Sequence, residues 1–172
     1  MKKHLPAIVC GFGAGVMQIV PIAKSLSCCI IIPVAVVLAI ALDRKANNIP
    51  NDERTETSKA AIIGVLTGIF AAIFGSFLDI FITLITKNND IIAAFPEIQN
   101  MLGNFPISET IRNEVIDMFQ GIITQIQQTG FSAIYALSIT INNLIVNTIF
   151  GLLGGLVGVQ IINSKIPKER KQ

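Results

Sequence analysis

The sequence predicts an all-α integral membrane protein: a four-helix bundle with both termini in the cytoplasm and an amphipathic helical cap between the third and fourth helices. Three observations predict it. Hydrophobic residues make up 52% of the 172 residues and charged residues only 14%, against about 25% charged residues in a typical soluble domain. Four apolar runs are close to or above the length of about 20 residues that a helix needs to cross a bilayer. Lysine and arginine are concentrated in alternate segments between these runs.

The composition excludes several classes of protein. A disordered chain is poor in apolar residues and rich in charge, which is the reverse of this composition. Three cysteines are too few to stabilise 172 residues as a disulfide scaffold. A net charge of +2, no tryptophan and a single tyrosine argue against nucleic-acid binding. We therefore expect a single membrane domain over residues 1–172, with the lipid bilayer as a partner and no nucleic acid.

The four spans are expected at residues 5–23, 26–42, 60–86 and 131–162. Charged residues bound the runs, as Lys24 and Asp43 do for the second. Pro33 is expected to bend the second span, because proline lacks the backbone N–H that a helix interior uses.

The start of the chain allows two other interpretations. Met-Lys-Lys before an apolar run resembles a secretory signal, and Leu-Ser-Cys-Cys at residues 26–29 resembles a lipoprotein cleavage site. A mature lipoprotein begins with a polar tether, whereas an apolar run follows here at once. Lys24 also occupies a position where a small neutral residue is expected. We therefore predict that the first span is retained.

The distribution of lysine and arginine predicts the orientation, because the cytoplasmic loops of membrane proteins carry the excess of these residues. With the N-terminus inside, segments 1–4, 43–59 and 163–172 hold ten of the 13 lysine and arginine residues, and the outer segments hold three. We therefore expect a multi-pass membrane protein with both termini in the cytoplasm.

Residues 88–130 form the long stretch outside the four spans, and their pattern is helical. Apolar residues recur at the spacing of one helix face: Ile111, Val115, Phe119, Ile122 and Ile126. Ser108 marks the start of this helix and Gly130 its end, and a shorter helix over 91–102 is interrupted or opened by Pro96. The segment is acidic, which disfavours attraction to anionic lipid. We expect a cap, or a contact surface for a partner or a second copy, rather than helices lying on the membrane surface.

Small residues recur at helical spacing on three of the predicted spans, and small residues let helices approach closely in lipid. They are Gly11 and Gly15 in the first span, Gly64 and Gly68 in the third, and Gly151, Gly154, Gly155 and Gly158 in the fourth. Counted from the cytoplasmic ends at about 1.5 Å per residue, the glycines of the third and fourth spans fall within the same half of the bilayer. We predict that these two spans are in close contact, either within one chain or across a dimer.

Polar side chains within the apolar runs are the candidates for function, because they are expensive in lipid. They are Gln18, Asp79, Asn143 and Asn147. Asp79 is expected near the outer end of the third span, where its charge reaches interfacial water, and a proton or cation site is the alternative. Asn143 and Asn147 approach the same depth from the fourth span. For this polar intramembrane cluster, hydrogen bonds between helices are the favoured role and an ion path is the other.

The sequence offers no chemistry for catalysis. It contains no Ser-His-Asp arrangement, no paired carboxylates and no histidines or cysteines at metal spacing. His4, Cys10 and the adjacent Cys28 and Cys29 stand without other candidate ligands nearby in the sequence. We therefore expect no enzyme activity, no catalytic residue, no metal and no cofactor.

Three strings of the sequence resemble a known group of proteins. They are Leu-Pro-Ala-Ile-Val-Cys-Gly-Phe-Gly-Ala-Gly at residues 5–15, Cys-Cys-Ile-Ile-Ile-Pro-Val-Ala at residues 28–35, and Phe-Gly-Leu-Leu-Gly-Gly-Leu-Val-Gly at residues 150–158. They are similar to uncharacterised bacterial four-span membrane proteins of the Bacteroidetes and Chlorobi branch, grouped under a domain of unknown function. The resemblance implies an inner-membrane location and supplies no activity or site residues.

Two functions are compatible with these patterns. The first is a structural or interaction subunit that self-associates or binds a membrane partner, based on the small-residue faces and the amphipathic segment. The alternative is a small channel or transporter with a polar site in the outer half of the bilayer. Transporters often carry internal repeats with helices broken at matching positions. The two halves of this chain have glycine and proline at unlike places, which weakens the transporter hypothesis.

Overall fold

The computed structural model describes residues 4–50 and 52–164, and within these ranges the chain is helical with no strand. In chain order the helices are α1 (Leu5–Met17), α2 (Pro21–Leu26), a π-helical turn (Ser27–Ile31), α3 (Ile32–Ala46), α4 (Thr57–Thr86), α5 (Asp90–Asn104), α6 (Glu109–Thr129) and α7 (Ala133–Ser164). The predicted all-α class is therefore confirmed. Of the charged residues that predict the orientation, six lie outside the described residues: Lys2, Lys3, Lys165, Lys168, Arg170 and Lys171.

Three helices are long and apolar enough to cross a membrane: Ser27–Ala46, Thr57–Thr86 and Ala133–Ser164. They contain the predicted spans at 26–42, 60–86 and 131–162 almost entirely. Each helix extends past its predicted span at one end. The sequence and the structure therefore agree that the chain is a membrane protein.

The first predicted span, at residues 5–23, lies in a shorter helix. α1 has 13 residues, which at 1.5 Å per residue give about 20 Å, less than the roughly 30 Å of a bilayer core. The backbone leaves the helix after Met17 and is extended at Val20, because the residue before a proline is pushed out of the helical region by the proline ring. Pro21 then opens α2, a position where its missing N–H is not needed.

Pro33 lies at the start of α3, directly after the π-helical turn. A proline removes one backbone hydrogen bond, and its ring crowds the carbonyl four residues earlier, here that of Cys29. A π-helical turn is one way for a helix to widen around such a position. The bend at Pro33 stays a prediction, and what the structure shows is a π-helical turn just before this residue.

The chain forms two compact units. The first comprises the described parts of residues 1–78 and 140–172, and the second comprises residues 79–139. Two apolar clusters form the core of the first unit. One contains Val36, Ala39, Ile40, Ala60, Ile63 and Val159, and the other contains Ala14, Ile32, Ala35 and Ala71.

The second unit contains α5, α6 and the adjoining ends of α4 and α7. Its core consists of Ile122, Ile126 and Tyr135, with Ile91, Ile92 and Ile139 packed against them. Ser108 caps α6 by accepting the Ile111 N–H at 3.4 Å, and Gly130 ends it with a left-handed backbone, φ +79°. Both boundaries are as predicted.

Pro96 neither opens nor interrupts a helix, because α5 continues through it from Asp90 to Asn104. The helix begins instead at Asn89, whose Oδ1 accepts the Ile92 N–H at 3.1 Å. Asparagine is one of the preferred N-cap residues. The cap together with the packing of Ile91 and Ile92 on the core of the second unit outweighs the one hydrogen bond that Pro96 removes.

Candidate functional site

The glycines of α4 and α7 bring the two backbones into direct contact. A Cβ atom built on Gly64 would lie closer than 3.0 Å to the carbonyl oxygen of Gly151. A Cβ atom built on Gly151 would likewise lie closer than 3.0 Å to the carbonyl oxygen of Gly64. One turn further, Gly68 faces the carbonyl of Asn147 in the same way. The contact lies within one chain, so these glycines are already covered without a second copy.

The remaining predicted packing glycines lie against other helices of the first unit. Gly155 completes the α4 face by packing on the backbone of Ala60, whereas Gly154 faces Pro33 of α3, with 2.8 Å from a built Cβ to the proline Cα. Gly158 lies one turn further along the α3 contact. α7 therefore carries two glycine faces, one for α4 and one for α3.

α1 uses its two predicted glycines to pack on α4. A Cβ on Gly11 would lie 2.8 Å from the Thr67 carbonyl oxygen, and a Cβ on Gly15 would lie 2.9 Å from the Gly75 backbone nitrogen. Gly13, between them, has no such neighbour within 4 Å. The alternation shows that the glycines at four-residue spacing face the bundle and that the third one faces away.

Two of the predicted polar residues form a buried pair. Gln18 and Asn147 are 8% and 3% exposed, and the Asn147 Nδ2 donates a hydrogen bond to the Gln18 Oε1 at 3.3 Å. The Gln18 side chain also lies over Gly75, with 2.7 Å from its Oε1 to a Cβ built there. Gly75 therefore provides the space that lets the amide reach Asn147, between the end of α1 and the middle of α7.

The other two predicted polar residues, Asn143 and Asp79, belong to different units of the chain. The Asn143 Nδ2 donates to the Ser76 Oγ at 3.0 Å, which links α7 to α4 one turn from the Gln18–Asn147 pair. Asp79 belongs to the second unit, whereas Gln18, Asn143 and Asn147 belong to the first. Ser76 was missed by sequence reasoning, although serine hydroxyls commonly bond across helices in membranes.

A second polar cluster lies where α3 ends and α4 begins. From the sequence, the charged residues of this segment served only to predict the orientation of the chain. Asp43 is 3% exposed, and its Oδ2 lies 2.6 Å from the Lys59 Nζ. The Asn47 Nδ2 donates to the Asp43 Oδ1 at 2.9 Å. This ion pair joins the last turn of α3 to the first turn of α4.

Arg44 and Asn163 hold the loop between these helices. Arg44 donates from Nη1 to the Thr55 Oγ1 and from Nη2 to the Pro50 carbonyl oxygen, both at 2.7 Å. The Thr55 N–H donates to the Asn163 Oδ1, and the Asn163 Nδ2 donates back to the Thr55 carbonyl oxygen, both at 3.0 Å. The loop is therefore fixed to α3 on one side and to the end of α7 on the other.

Two open grooves flank this cluster. One of about 370 Å³ includes His4, Asp43 and Lys59 in its lining, and one of about 570 Å³ includes Arg44 and Lys45. Over the described ranges, no group of three His, Cys, Asp or Glu side chains is placed to hold a metal ion. The polar chemistry of the first unit therefore consists of amide pairs within the helices and a charged cluster at their ends.

No protein-family model, no curated protein and no solved structure matches this chain. The resemblance to bacterial four-span proteins therefore stays a prediction. The contacts and surfaces of the chain itself carry the functional argument.

Proposed function

We propose that the chain is a multi-pass protein of the bacterial inner membrane, with four membrane segments and both termini in the cytoplasm, that acts as an interaction subunit rather than an enzyme. It would act by binding a membrane partner or a second copy through the second unit. The observation that carries this proposal is the apolar surface of α5 and α6. α5 has no buried residue along its 15 residues, and Met101 and Phe105 are 65% and 59% exposed.

The first unit supports the membrane part of this proposal through its outer surface. Exposed apolar side chains form a stripe at helical spacing on α1, made of Leu5, Val9, Phe12 and Val16, and a second on the Ser27–Ala46 helix, made of Ile30, Val34, Leu38 and Leu42. Soluble monomers rarely expose contiguous apolar patches of this kind. Lipid chains would cover both stripes, which favours α1 as a fourth, shorter segment in the membrane.

The glycine contacts favour the second unit as the binding surface for a partner. Each of the eight predicted packing glycines has a neighbour within 3.1 Å of a built Cβ. A second copy would need a free small-residue face to associate in the usual way of membrane helices, and these faces are covered by the chain's own helices. α6 exposes the apolar residues Ile111 and Met118 beside acidic side chains of the same segment. Such a mixed surface favours contact with a protein over contact with lipid.

Photo-crosslinking in native membranes tests this proposal. A benzophenone side chain replacing Phe105 should give one protein adduct of defined mass, either twice the chain mass or the chain plus a single other protein. Phe77 on α4 is the matched control, because it is 63% exposed and belongs to the first unit, where lipid is expected. Equal protein adducts from both positions, or lipid adducts from both, would contradict the proposal.

A small channel or transporter is the second candidate, and one observation favours it. Among the described residues of the first unit, three buried polar atoms have no hydrogen-bond partner: Gln18 Nε2, Ser27 Oγ and Thr148 Oγ1. An unsatisfied polar group in an apolar medium costs several kcal/mol, and water or an ion beside it would remove that cost. If this is the function, Asn147→Leu should abolish flux in proteoliposomes, whereas Asn142→Leu, at an exposed position of α7, should leave flux unchanged.

A further inference from the structure

Arg44 is a buried cation whose charge is not neutralised by the residues around it. It is 9% exposed, and its two hydrogen bonds go to the neutral oxygens of Thr55 and Pro50. Among the residues that the structure describes, no carboxylate lies within ion-pair distance of it. Removing a charged group from water without a counter-ion is strongly unfavourable. The guanidinium therefore favours an anion from outside the chain.

The groove beside Arg44 has the lining that such an anion requires. It has a volume of about 570 Å³, and Lys45 and the side chain of Asn48 line it together with Arg44. Among the residues that the structure describes, the lining contains no carboxylate. Asp43, the neighbouring acid on α3, is bound to Lys59.

The C-terminus of α3 cancels only part of the positive charge in the groove. A helix C-terminus carries about half a negative charge on its free carbonyl groups. Here the Arg44 carbonyl oxygen accepts the Ile49 N–H at 2.9 Å, and the Lys45 carbonyl oxygen accepts the Asn48 N–H at 3.3 Å. Since these carbonyls are occupied, the charge of the described lining is dominated by its two cations, Arg44 and Lys45.

The Arg44 side chain is held in place before any ligand arrives. A guanidinium has five N–H donors in a fixed fork, and Thr55 and Pro50 occupy two of them. Within the described ranges, the Arg44 Nε has no hydrogen bond to the protein and is not an enclosed atom, so at least this donor is open to a ligand. The reciprocal bonds between Thr55 and Asn163 fix the loop that orients this fork.

We propose that this groove, the Arg44 groove, binds a phosphate group, carried either by an anionic lipid headgroup or by a soluble phosphate compound. Arginine matches two phosphate oxygens with its planar fork, and lysine adds a point charge. The groove lies where two helices of spanning length end, and Ala41 and Ile162 give it an apolar wall. Headgroup phosphates lie at that depth. This site goes beyond the proposed function, because it does not depend on a protein partner.

Native mass spectrometry of the full chain in detergent tests the site, with three probes in separate titrations: phosphatidylglycerol, phosphatidylcholine and inorganic phosphate. Lys45→Gln is the principal variant, because Lys45 is exposed at the helix surface and its loss should leave the fold intact. Arg54→Gln is the matched control, since Arg54 carries the same charge in the following loop, is exposed and does not line the groove.

Saturable binding of one phosphatidylglycerol, weakened about fivefold or more by Lys45→Gln and unchanged by Arg54→Gln, identifies a lipid headgroup site. The fivefold loss corresponds to the roughly 1 kcal/mol that one basic residue contributes near anionic lipid. Displacement of the lipid by millimolar inorganic phosphate, or binding of phosphate alone with the same sensitivity, identifies a soluble ligand. Equal losses in both variants, or phosphatidylglycerol binding no better than phosphatidylcholine with no phosphate binding, would overturn the proposal.

Discussion

Replacing Gly151 with alanine should destabilise the protein, although alanine is the better helix former. The added Cβ would lie closer than 3.0 Å to the carbonyl oxygen of Gly64, which is backbone and cannot rotate away. Overpacking of this kind costs about 1–3 kcal/mol. The exchange of glycine for alanine in a helix returns about 0.5–1 kcal/mol. The expected net loss is therefore about 1–2 kcal/mol of the free energy of unfolding.

Gly13→Ala is the matched control for this experiment. Gly13 lies in the middle of α1, and a Cβ there meets nothing within 4 Å, so only the helix-forming term remains. This variant should gain about 0.5–1 kcal/mol. The two substitutions make the same chemical change, and their effects should have opposite signs.

Far-ultraviolet circular dichroism during denaturation in detergent measures both effects, and it needs no tryptophan, which the chain lacks. Its midpoint should fall for Gly151→Ala and rise for Gly13→Ala relative to the unchanged protein. A Gly151→Ala variant as stable as Gly13→Ala would refute the inference that α4 and α7 touch backbone to backbone. A fall for both would show that alanine disturbs α1 as well.

Substitutions at three further positions test other parts of the structure. Asn147→Leu should lower the free energy of unfolding by about 1 kcal/mol, a typical value for hydrogen bonds between membrane helices, because Gln18 loses its partner; thermal denaturation in detergent measures it. Asn48 has φ +49°, so Asn48→Gly should match or exceed the stability of the parent, whereas Asn48→Ala should lose about 1 kcal/mol in the same assay. Asn163→Ala removes both bonds to Thr55 and should raise hydrogen exchange of the loop amides about thirtyfold, since the two bonds are worth about 1 kcal/mol each; unchanged exchange would show that the loop is held by Arg44 alone.

The close contact of α4 with α7 could be predicted from the sequence because glycines recur at the spacing of one helix face on both. Gly64 and Gly68 lie one turn apart on α4, and Gly151 and Gly155 do the same on α7. Two such rows can face each other in a close crossing, and the structure shows that they do. The sequence left open whether the crossing is within one chain or between two, because spacing carries no information about which copy supplies the partner helix.

The first span shows where composition fails. Apart from Gln18, the residues around the break are as apolar as their neighbours. Hydropathy therefore predicts one span that continues to residue 23. The backbone instead turns before Pro21, and it ends α1 at the residue that reaches Asn147. A proline within a predicted span and a polar residue three positions before it together mark a break that neither marks alone.

The polar residues show the same limit at the level of the site. In the prediction, depth along the helices brings Asn143 and Asn147 near Asp79, and Gln18 joins them from the first span. The structure bonds Gln18 to Asn147. Depth says nothing about rotation, however, and rotation determines that Asn143 bonds to Ser76, one turn before Asp79 on the same helix. For Asp79, both the depth in the membrane and the place in the cluster stay predictions.

Arg44 and Lys45 carry two roles that the charge count treats as one. Both contribute equally to the excess of cations that predicts a cytoplasmic loop, yet one is buried and bound to the loop backbone while the other is exposed. An arginine that only marked topology would need no burial, since its charge acts from water. The burial of Arg44 is unfavourable unless something returns the lost hydration, and its two neutral acceptors return only part of it. A phosphate in the groove would supply the rest, so the same pair of residues that predicts the orientation would also bind the lipid or solute at this end of the helices.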